Sequence, residues 1–570
     1  MTNYQLPVAA WVEAFTAWMT NTFSGIFNFF QLSGQHLMEG ITTMLLAIPP
    51  LLLIVLLTGA AFIISNKKIG LSLFTLLGLL FIYNQHLWTD LMNTVTLVLL
   101  SSVVSIVIGV PLGIIMAKSN KAQSIITPIL DFMQTMPGFV YLIPAVAFFG
   151  IGMVPGVFAS VIFALPPTVR FTNLGIRQVP KELVEASDSF GSTGWQKLFK
   201  LELPLAKSTI MAGVNQTTML ALSMVVIASM IGAPGLGRGV LSALQRAQVG
   251  NGFVNGVALV ILAIIIDRFT QNLNHKKAAP ARAKLTSKQK TGLLAAVAIL
   301  IISFIAGPFL FSSANEEKKL SLAYVEWDTE VASTHVVGEV LQDMGYQVSM
   351  TPLDNAIMWE SLSKGETDAM VAAWLPSTHG EQYNQYKAKV EDLGENLTGA
   401  QLGIAVPAYM KVDSIEDLTS QAHKKITGIE PGAGVVTAAE KTQKAYANLA
   451  DWTIETSSSG AMTVALGQAI KNKEDIVITG WSPHWMFAKY DLKYLNDPKG
   501  TMGSAEAIHT FAKKSLKKEN PEAYRVLKNF HWTQEDMESV MLEINNGTDP
   551  TKAARNWIDT HEKEVAEWKK

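Results

Sequence analysis

Between about residues 41 and 311 the chain repeats one pattern, long apolar stretches separated by short polar loops; from about 316 to 570 apolar and charged residues intermingle instead. A helix that crosses a bilayer needs about 20 mostly apolar residues. Eight stretches approach that length, at 42–64, 69–84, 91–117, 125–149, 153–170, 208–232, 252–270 and 291–311. The stretch at 69–84 is short, and Pro137, Pro144, Pro155, Pro166 and Pro167 interrupt 125–170. Broken helices are tolerated where they pack inside a bundle or line a pathway. Ahead of these spans, residues 5–32 carry Trp11, Phe15, Trp18, Phe23, Phe27 and Phe30. That pattern predicts an amphipathic helix lying in the membrane interface, within residues 1–40; a ninth span is the alternative. In the second half, strand-like runs at 320–325, 346–350, 368–373 and 475–479 alternate with helical patterns such as 331–344. Alternation of this kind predicts parallel sheets with covering helices, and about 250 residues suit two such lobes with a cleft between them.

Loop charges orient the spans. Lys67 and Lys68, Lys118 and Lys121, the run from Arg170 to Lys207, and the run from Arg268 to Lys290 mark one side, whereas 85–90 and 150–152 carry no Lys or Arg and 233–251 only Arg238 and Arg246. With the basic loops inside, eight spans place both termini and the whole C-terminal half outside. The overall composition adds little, because it averages two solvents: 49% hydrophobic, 16% charged and a net charge of −2. That balance does not have the basic footprint of a nucleic-acid binder. There is no Cys, which excludes disulfides and thiolate metal sites, and no metal site is expected. The first residues lack the basic region and cleavage site of a secretory signal, so no processing is expected there.

The loop at 170–207 carries the first chemistry. It contains Glu185-Ala186-Ser187-Asp188-Ser189-Phe190-Gly191, followed after a basic stretch by Leu203-Pro204-Leu205. This resembles the EAA loop of ABC-importer permeases, with Ser187 in place of the second alanine. The resemblance implies a short helix ended by Gly191 and seated in a cleft of a nucleotide-binding subunit, with Glu185, Ala186 and Gly191 coupling the two. By itself such a heptapeptide reads as an ordinary amphipathic loop; the downstream Leu-Pro and the polytopic context favour the coupling role. No G-x-x-x-x-G-K-[ST] phosphate loop occurs in the sequence, so a separate ATPase is implied, holding ATP and Mg; the chain itself is read as a transport subunit rather than an enzyme, with no cofactor of its own. The permease resemblance covers roughly 90–270.

Nine of the 13 Trp fall in the second half. Three end predicted strands, where open α/β sheets place ligands: Trp327 in Val-Glu-Trp-Asp, Trp374 in Ala-Ala-Trp-Leu-Pro and Trp481 in Gly-Trp-Ser-Pro-His-Trp. Three indole faces can box a quaternary ammonium, each contributing up to about 2 kcal/mol when desolvated. The glycine-rich turn at 428–437 opens onto a helix and offers free N–H groups to an anion. Trp359, Trp452, Trp532, Trp557 and Trp568 sit in helical contexts and read as core, and Trp485 is open. Glu326, Asp328 and Glu430 lie near enough in sequence to raise the question of a carboxylate in the cage, which would favour choline.

These motifs resemble the glycine betaine/proline betaine binding proteins of ABC importers, including the lactic-acid-bacterial type fused to its permease. The resemblance implies that Trp327, Trp374 and Trp481 form a prism around the trimethylammonium, while the backbone of Gly434 and Val435 and the side chain of His484 hold the carboxylate.

The expected fold is thus a polytopic α-helical membrane domain, about eight spans plus the interfacial helix, fused to an extracellular two-lobed α/β domain of the periplasmic-binding-protein type. Its expected parts are the helix at 1–40, accessory spans at 41–90, a permease core at 91–272, a basic loop with the last span (291–311) and tether at 273–317, and a substrate-binding domain at 318–570. The expected function is ATP-driven import of glycine betaine across a bacterial cell membrane by alternating access. Two ATPase copies and a second copy of this chain are the expected partners. Choline, carnitine or proline betaine as main substrate, and a betaine-binding membrane sensor, are the alternatives; a hydrolase built on His484 or His335 lacks a supporting Ser or carboxylate motif.

Overall fold

The computed structural model describes residues 6–65, 69–245, 248–275 and 318–570. The span expected at 291–311, the tether and most of the basic loop before them lie outside the described residues. Among the described residues the chain divides into a helical unit over 6–241 and 250–275 and an α/β unit built on 318–570.

The helical unit opens with α1 (Val8–Thr22) and α2 (Ser24–Leu46), then α3 (Pro50–Ile64), α4 (Ile69–Asn84), α5 (Trp88–Lys118), α6 (Asn120–Thr135), α7 (Leu142–Phe149), α8 (Met153–Arg177) and α9 (Lys181–Ser189). Two long helices follow, α10 (Gly194–Ser229) and α11 (Val249–Asn272). By length and composition, α5, α8, α10 and α11 are each able to cross a membrane, and α4 is a shorter apolar helix.

Three expectations need correction. The run at 42–64 is not one straight helix: α2 ends at Leu46, and α3 leaves it at 90°. Pro49 and Pro50 cause the break, since Pro49 takes the extended conformation that precedes proline (ψ 130°) and Pro50 starts the next helix. The stretch at 125–149 likewise bends by 107°. Met136 is extended ahead of Pro137, with ψ 131°. The other prolines do not interrupt: Pro144 and Pro155 lie in first turns, where no intrahelical N–H is required, and Pro166 and Pro167 are carried inside α8. Third, residues 1–40 are not one interfacial helix. Trp11, Phe15 and Trp18 of α1 are exposed, but α2 packs into the unit, with Phe27 stacked on Phe148 at 4.8 Å and the Thr42 and Thr96 hydroxyls 2.9 Å apart.

Small residues let α5, α8 and α10 approach closely, as helices in lipid require. A Cβ at Gly113 would lie 2.7 Å from the Val169 carbonyl oxygen, and one at Gly213 would lie 2.6 Å from Phe171 Cβ. Polar side chains stitch the same interface. Thr168 and Thr217 share a hydrogen bond of 2.7 Å, and Thr217 donates to the Ala164 carbonyl beside the double proline.

The α/β unit contains nine strands, ordered β2-β1-β3-β9-β4-β7-β5-β6 with β8 against β4. They are β1 (Lys319–Tyr324), β2 (Gln347–Pro352), β3 (Ala369–Leu375), β4 (Val390–Pro407), β5 (Lys425–Thr427), β6 (Thr453–Glu455), β7 (Val477–Ser482), β8 (Leu492–Tyr494) and β9 (Glu506–Lys513). Strands β1, β2 and β3 pair in parallel, as do β5, β6 and β7. Between these groups run β9 and the 18-residue β4, both antiparallel to their neighbours. The first part of β4, to Ala400, pairs with β9, and from Gln401 it pairs with β7. One strand therefore serves two sheets, which makes two lobes. The second passage between lobes falls between β8 and β9. Trp532, Trp557 and Trp568 pack together near the C-terminus, Trp532 edge-on to Trp557 and Trp568 stacked on it at 5.7 Å, and Trp359 and Trp452 are buried. All five are core, as expected.

Candidate functional site

Each cage tryptophan sits at the end of a strand or just past it. Trp327 comes after β1 as the N-cap of α12 (Asp328–Asp343), Trp374 is the penultimate residue of β3, and Trp481 is the penultimate residue of β7, paired with Leu402 of β4. The three indoles converge. They wall a cavity of about 30 Å³ completed by Leu402 and Ile429, Thr329 and Thr378, and Ala433, Gly434 and Val435. A side cleft of about 260 Å³ adjoins it and shares Thr378, Leu402 and Gly434.

Gly434 and Val435 open α13 (Gly434–Ala445), with Ala433 as N-cap and no side-chain cap. The first intrahelical bond runs from Thr437 N–H to the Ala433 carbonyl, so the N–H groups of Gly434 and Val435 precede any helical acceptor. The positive end of the helix dipole faces the cavity with them. Glycine is needed here for close approach: a Cβ at Gly434 would lie 2.8 Å from Thr378 Cα and 2.9 Å from its carbonyl oxygen. Thr378 belongs to the first lobe and Gly434 to the second, so the lobes meet backbone to backbone. Buried Glu506 holds the Thr378 side of this contact, accepting from Ser377 N–H at 2.5 Å, from Thr378 N–H at 2.8 Å and from the Thr378 hydroxyl.

The nearby acids are partnered within the protein, Glu430 by the Trp327 side chain among others. Glu330 accepts from Val325 N–H at 2.5 Å, and complete burial pushes its carboxyl up to about 8. Burial also raises Glu430, whose Oε1 accepts from Ser459 N–H at 3.1 Å. Asp328 lies 3.1 Å from His484 Nε2. Among the described residues lining the cavity, none is acidic or basic.

His484, expected to donate to the carboxylate, lies behind the cavity wall rather than in its lining. Its ring is fully buried and does not line the cavity; Nδ1 accepts from Met486 N–H at 3.2 Å, which leaves the Nε2 proton for Asp328. The imidazole packs edge-on to Trp481 at 4.6 Å. The Asp328–His484 contact joins the two lobes. Trp485 is buried beyond His484 and also stays out of the cavity.

Sequence reasoning missed His379, Thr378, Leu402 and Ile429. A signal for His379 was present: Trp374-Leu-Pro-Ser-Thr-His379 parallels Trp481-Ser-Pro-His484, and both prolyl bonds are cis. In each lobe the histidine accepts a backbone N–H through Nδ1. Leu402 had no signal, since only the β4–β7 register sets it opposite Trp481.

In the helical unit, Glu185 and Ala186 lie on α9, which buries no residue. Gly191 ends that helix at φ +73°. Ser192 N–H donates to the Ser187 carbonyl at 3.2 Å and Gly191 N–H to that of Asp188 at 2.9 Å, the paired bonds of a Schellman turn, which demands the left-handed conformation. A Cβ at Gly191 meets nothing within 4 Å, so within this chain its role is conformational rather than steric. Phe190 and Trp195 are exposed, and Trp195 stacks on Phe199 at 5.4 Å.

Residues 318–560 match the family described as the substrate binding domain of the ABC-type glycine betaine transport system, and residues 109–278 match the binding-protein-dependent transport system inner membrane component. The chain is 59% identical to the glycine betaine/carnitine transport permease protein GbuB of Listeria monocytogenes over 48% of its own length and 96% of that protein. It is 50% identical to the glycine betaine transport system permease protein OpuAB of Bacillus subtilis over 49% and 98%. A crystal structure of lactococcal OpuAC in its closed-liganded conformation with glycine betaine covers 44% of this chain and 100% of that one, at 60% identity and a TM-score of 0.44. The chain belongs to the ABC-type glycine betaine transport family, with an inner-membrane permease component and a substrate-binding domain joined in one polypeptide.

Proposed function

We propose that this chain is the permease and receptor subunit of an ATP-driven importer of glycine betaine. One observation carries the substrate: a cavity of three indoles without a charged side chain, facing the uncapped start of a helix. A quaternary ammonium cannot donate a hydrogen bond and is held by aromatic faces and contact. Because no protein carboxylate lines the cavity, the cation is best balanced by an anion of its own, and the N–H groups of Gly434 and Val435 suit a carboxylate. A zwitterion meets both demands, whereas choline meets one. His484 steadies Trp481 and ties the lobes through Asp328.

Ligand draws the lobes together at Thr378 and Gly434, and the closed domain delivers it to the permease. Glu185, Ala186 and Gly191 seat α9 in an ATPase, with two ATPase copies serving two copies of this chain. ATP and Mg belong to that partner. The charge pattern supports a multi-pass cell-membrane protein with α9 inside and the binding domain and both termini outside. Calorimetry on the purified chain with glycine betaine, choline and proline in parallel tests the substrate, and ATP-dependent uptake into vesicles carrying the partner ATPase tests transport. Binding of choline as tight as that of betaine, or uptake indifferent to ATP, rejects the proposal.

A further inference from the structure

The indoles of an ammonium cage act only if their faces are held at the right angle. One residue behind the cage touches both Trp327 and Trp374. His379 ends the loop after β3 and is fully buried. Its Nδ1 accepts the Trp374 N–H at 2.9 Å, and its own N–H donates to the Trp374 carbonyl at 2.9 Å. The register of β3 against β9 shifts between Met370 and Ala373 and is regular again from Ala373 to Leu375, so the side-chain acceptor meets the backbone just past the irregularity. The imidazole also lies nearly parallel to the Trp327 indole, 9° apart in plane and 5.9 Å between centroids, within the range of offset stacking. Trp359 packs on it at 5.9 Å, tilted by 58°.

We infer that His379 is a positioning residue of the cage, an imidazole that fixes the Trp374 backbone through one nitrogen and the Trp327 indole through its face. The inference rests on the reading of the three indoles as an ammonium cage. Few side chains do both jobs: asparagine supplies the acceptor without the face, phenylalanine the face without the acceptor. The residue must also stay uncharged, because a cation stacked behind Trp327 would repel an ammonium in front of it. Burial holds the imidazole neutral, lowering it to about 3, and with Nδ1 accepting, the proton sits on Nε2.

The test uses the full chain purified in detergent, titrated by tryptophan fluorescence with glycine betaine and with N,N-dimethylglycine, one methyl group short. A well-set cage favours the trimethylated ligand, and a loosened one discriminates less. His379→Ala is expected to weaken glycine betaine binding by about tenfold or more, the scale of one desolvated cation–π face, and to narrow the ratio between the two ligands. His379→Asn and His379→Phe each restore part of the affinity and of the ratio, and they carry the test if the alanine variant does not fold. Wild-type affinity in folded variants overturns the inference. So does an equal loss for both ligands with the ratio unchanged, which marks general destabilisation. Failure of the wild-type chain to bind glycine betaine overturns the cage reading itself, and the inference with it.

Discussion

The two functional regions are opposites in what they leave open. The cage indoles Trp327, Trp374 and Trp481 are 9%, 3% and 5% exposed, whereas Phe190 and Trp195 beside α9 are 91% and 73% exposed. Aromatic residues are costly to leave in water, and a contiguous exposed group of them marks an interaction surface. The proposed cage is built from residues of one chain. The α9 region holds its own shape through a Schellman turn, a capping box at Thr193 and the Lys197–Asp188 pair, yet it leaves Phe190 and Trp195 largely exposed. On the proposed reading, binding is a property of the polypeptide and coupling a property of an assembly.

The sharpest way to break this division is to injure one region and measure the other. Gly191→Val places a β-branched residue in the left-handed region, a local cost of about 1–2 kcal/mol. It is expected to abolish uptake and ligand-stimulated ATP hydrolysis while leaving betaine affinity unchanged. Gly191→Asn, which tolerates that conformation, is expected to keep most of the uptake. A membrane-inserted Gly191→Val protein transporting at the normal rate removes the coupling role.

Next in size are the tryptophans. Trp374→Ala or Trp481→Ala is expected to weaken betaine binding by at least about 1–2 kcal/mol, measured by calorimetry. Trp568→Ala opens the aromatic stack of the C-terminal helices and is expected to cost about 3–5 kcal/mol of stability in denaturant unfolding, with little change in affinity at a temperature where the protein remains folded. Equal affinity losses at all three positions contradict a dedicated cage. Choline is expected to bind at least tenfold more weakly than glycine betaine, or about 1.4 kcal/mol. The smallest effect concerns the bond between lobes: Asp328→Ala is expected to cost about 1 kcal/mol of affinity, whereas Asp328→Asn, which keeps an acceptor for His484, costs less. No difference between these two variants argues that Asp328 does not help to close the lobes.

Much was legible before any coordinates. Periods of about 20 apolar residues located the long helices, and Trp327, Trp374 and Trp481 were identifiable because each ends a strand whose apolar run is itself visible. The Gly434 turn was visible for a related reason, as a strand end opening on a helical pattern. The misreadings fall where the signal is not periodic. Hydropathy cannot distinguish Pro49-Pro50, which turns the chain by 90°, from Pro166-Pro167, which stay within one helix, because the outcome depends on whether neighbouring helices satisfy and pack the freed backbone.

The sequence by itself determined which residue types face lipid, which end the strands, and that an ammonium with its own anion suits them. Tertiary structure alone decided which groups meet across distance: Leu402 opposite Trp481 by register, Gly434 against Thr378 by the approach of two lobes, His484 bound to Asp328, and His379 behind two walls of the cage. Local preferences act over a few residues, whereas these contacts join positions separated by tens to hundreds, and packing chooses among many partners that composition leaves equivalent.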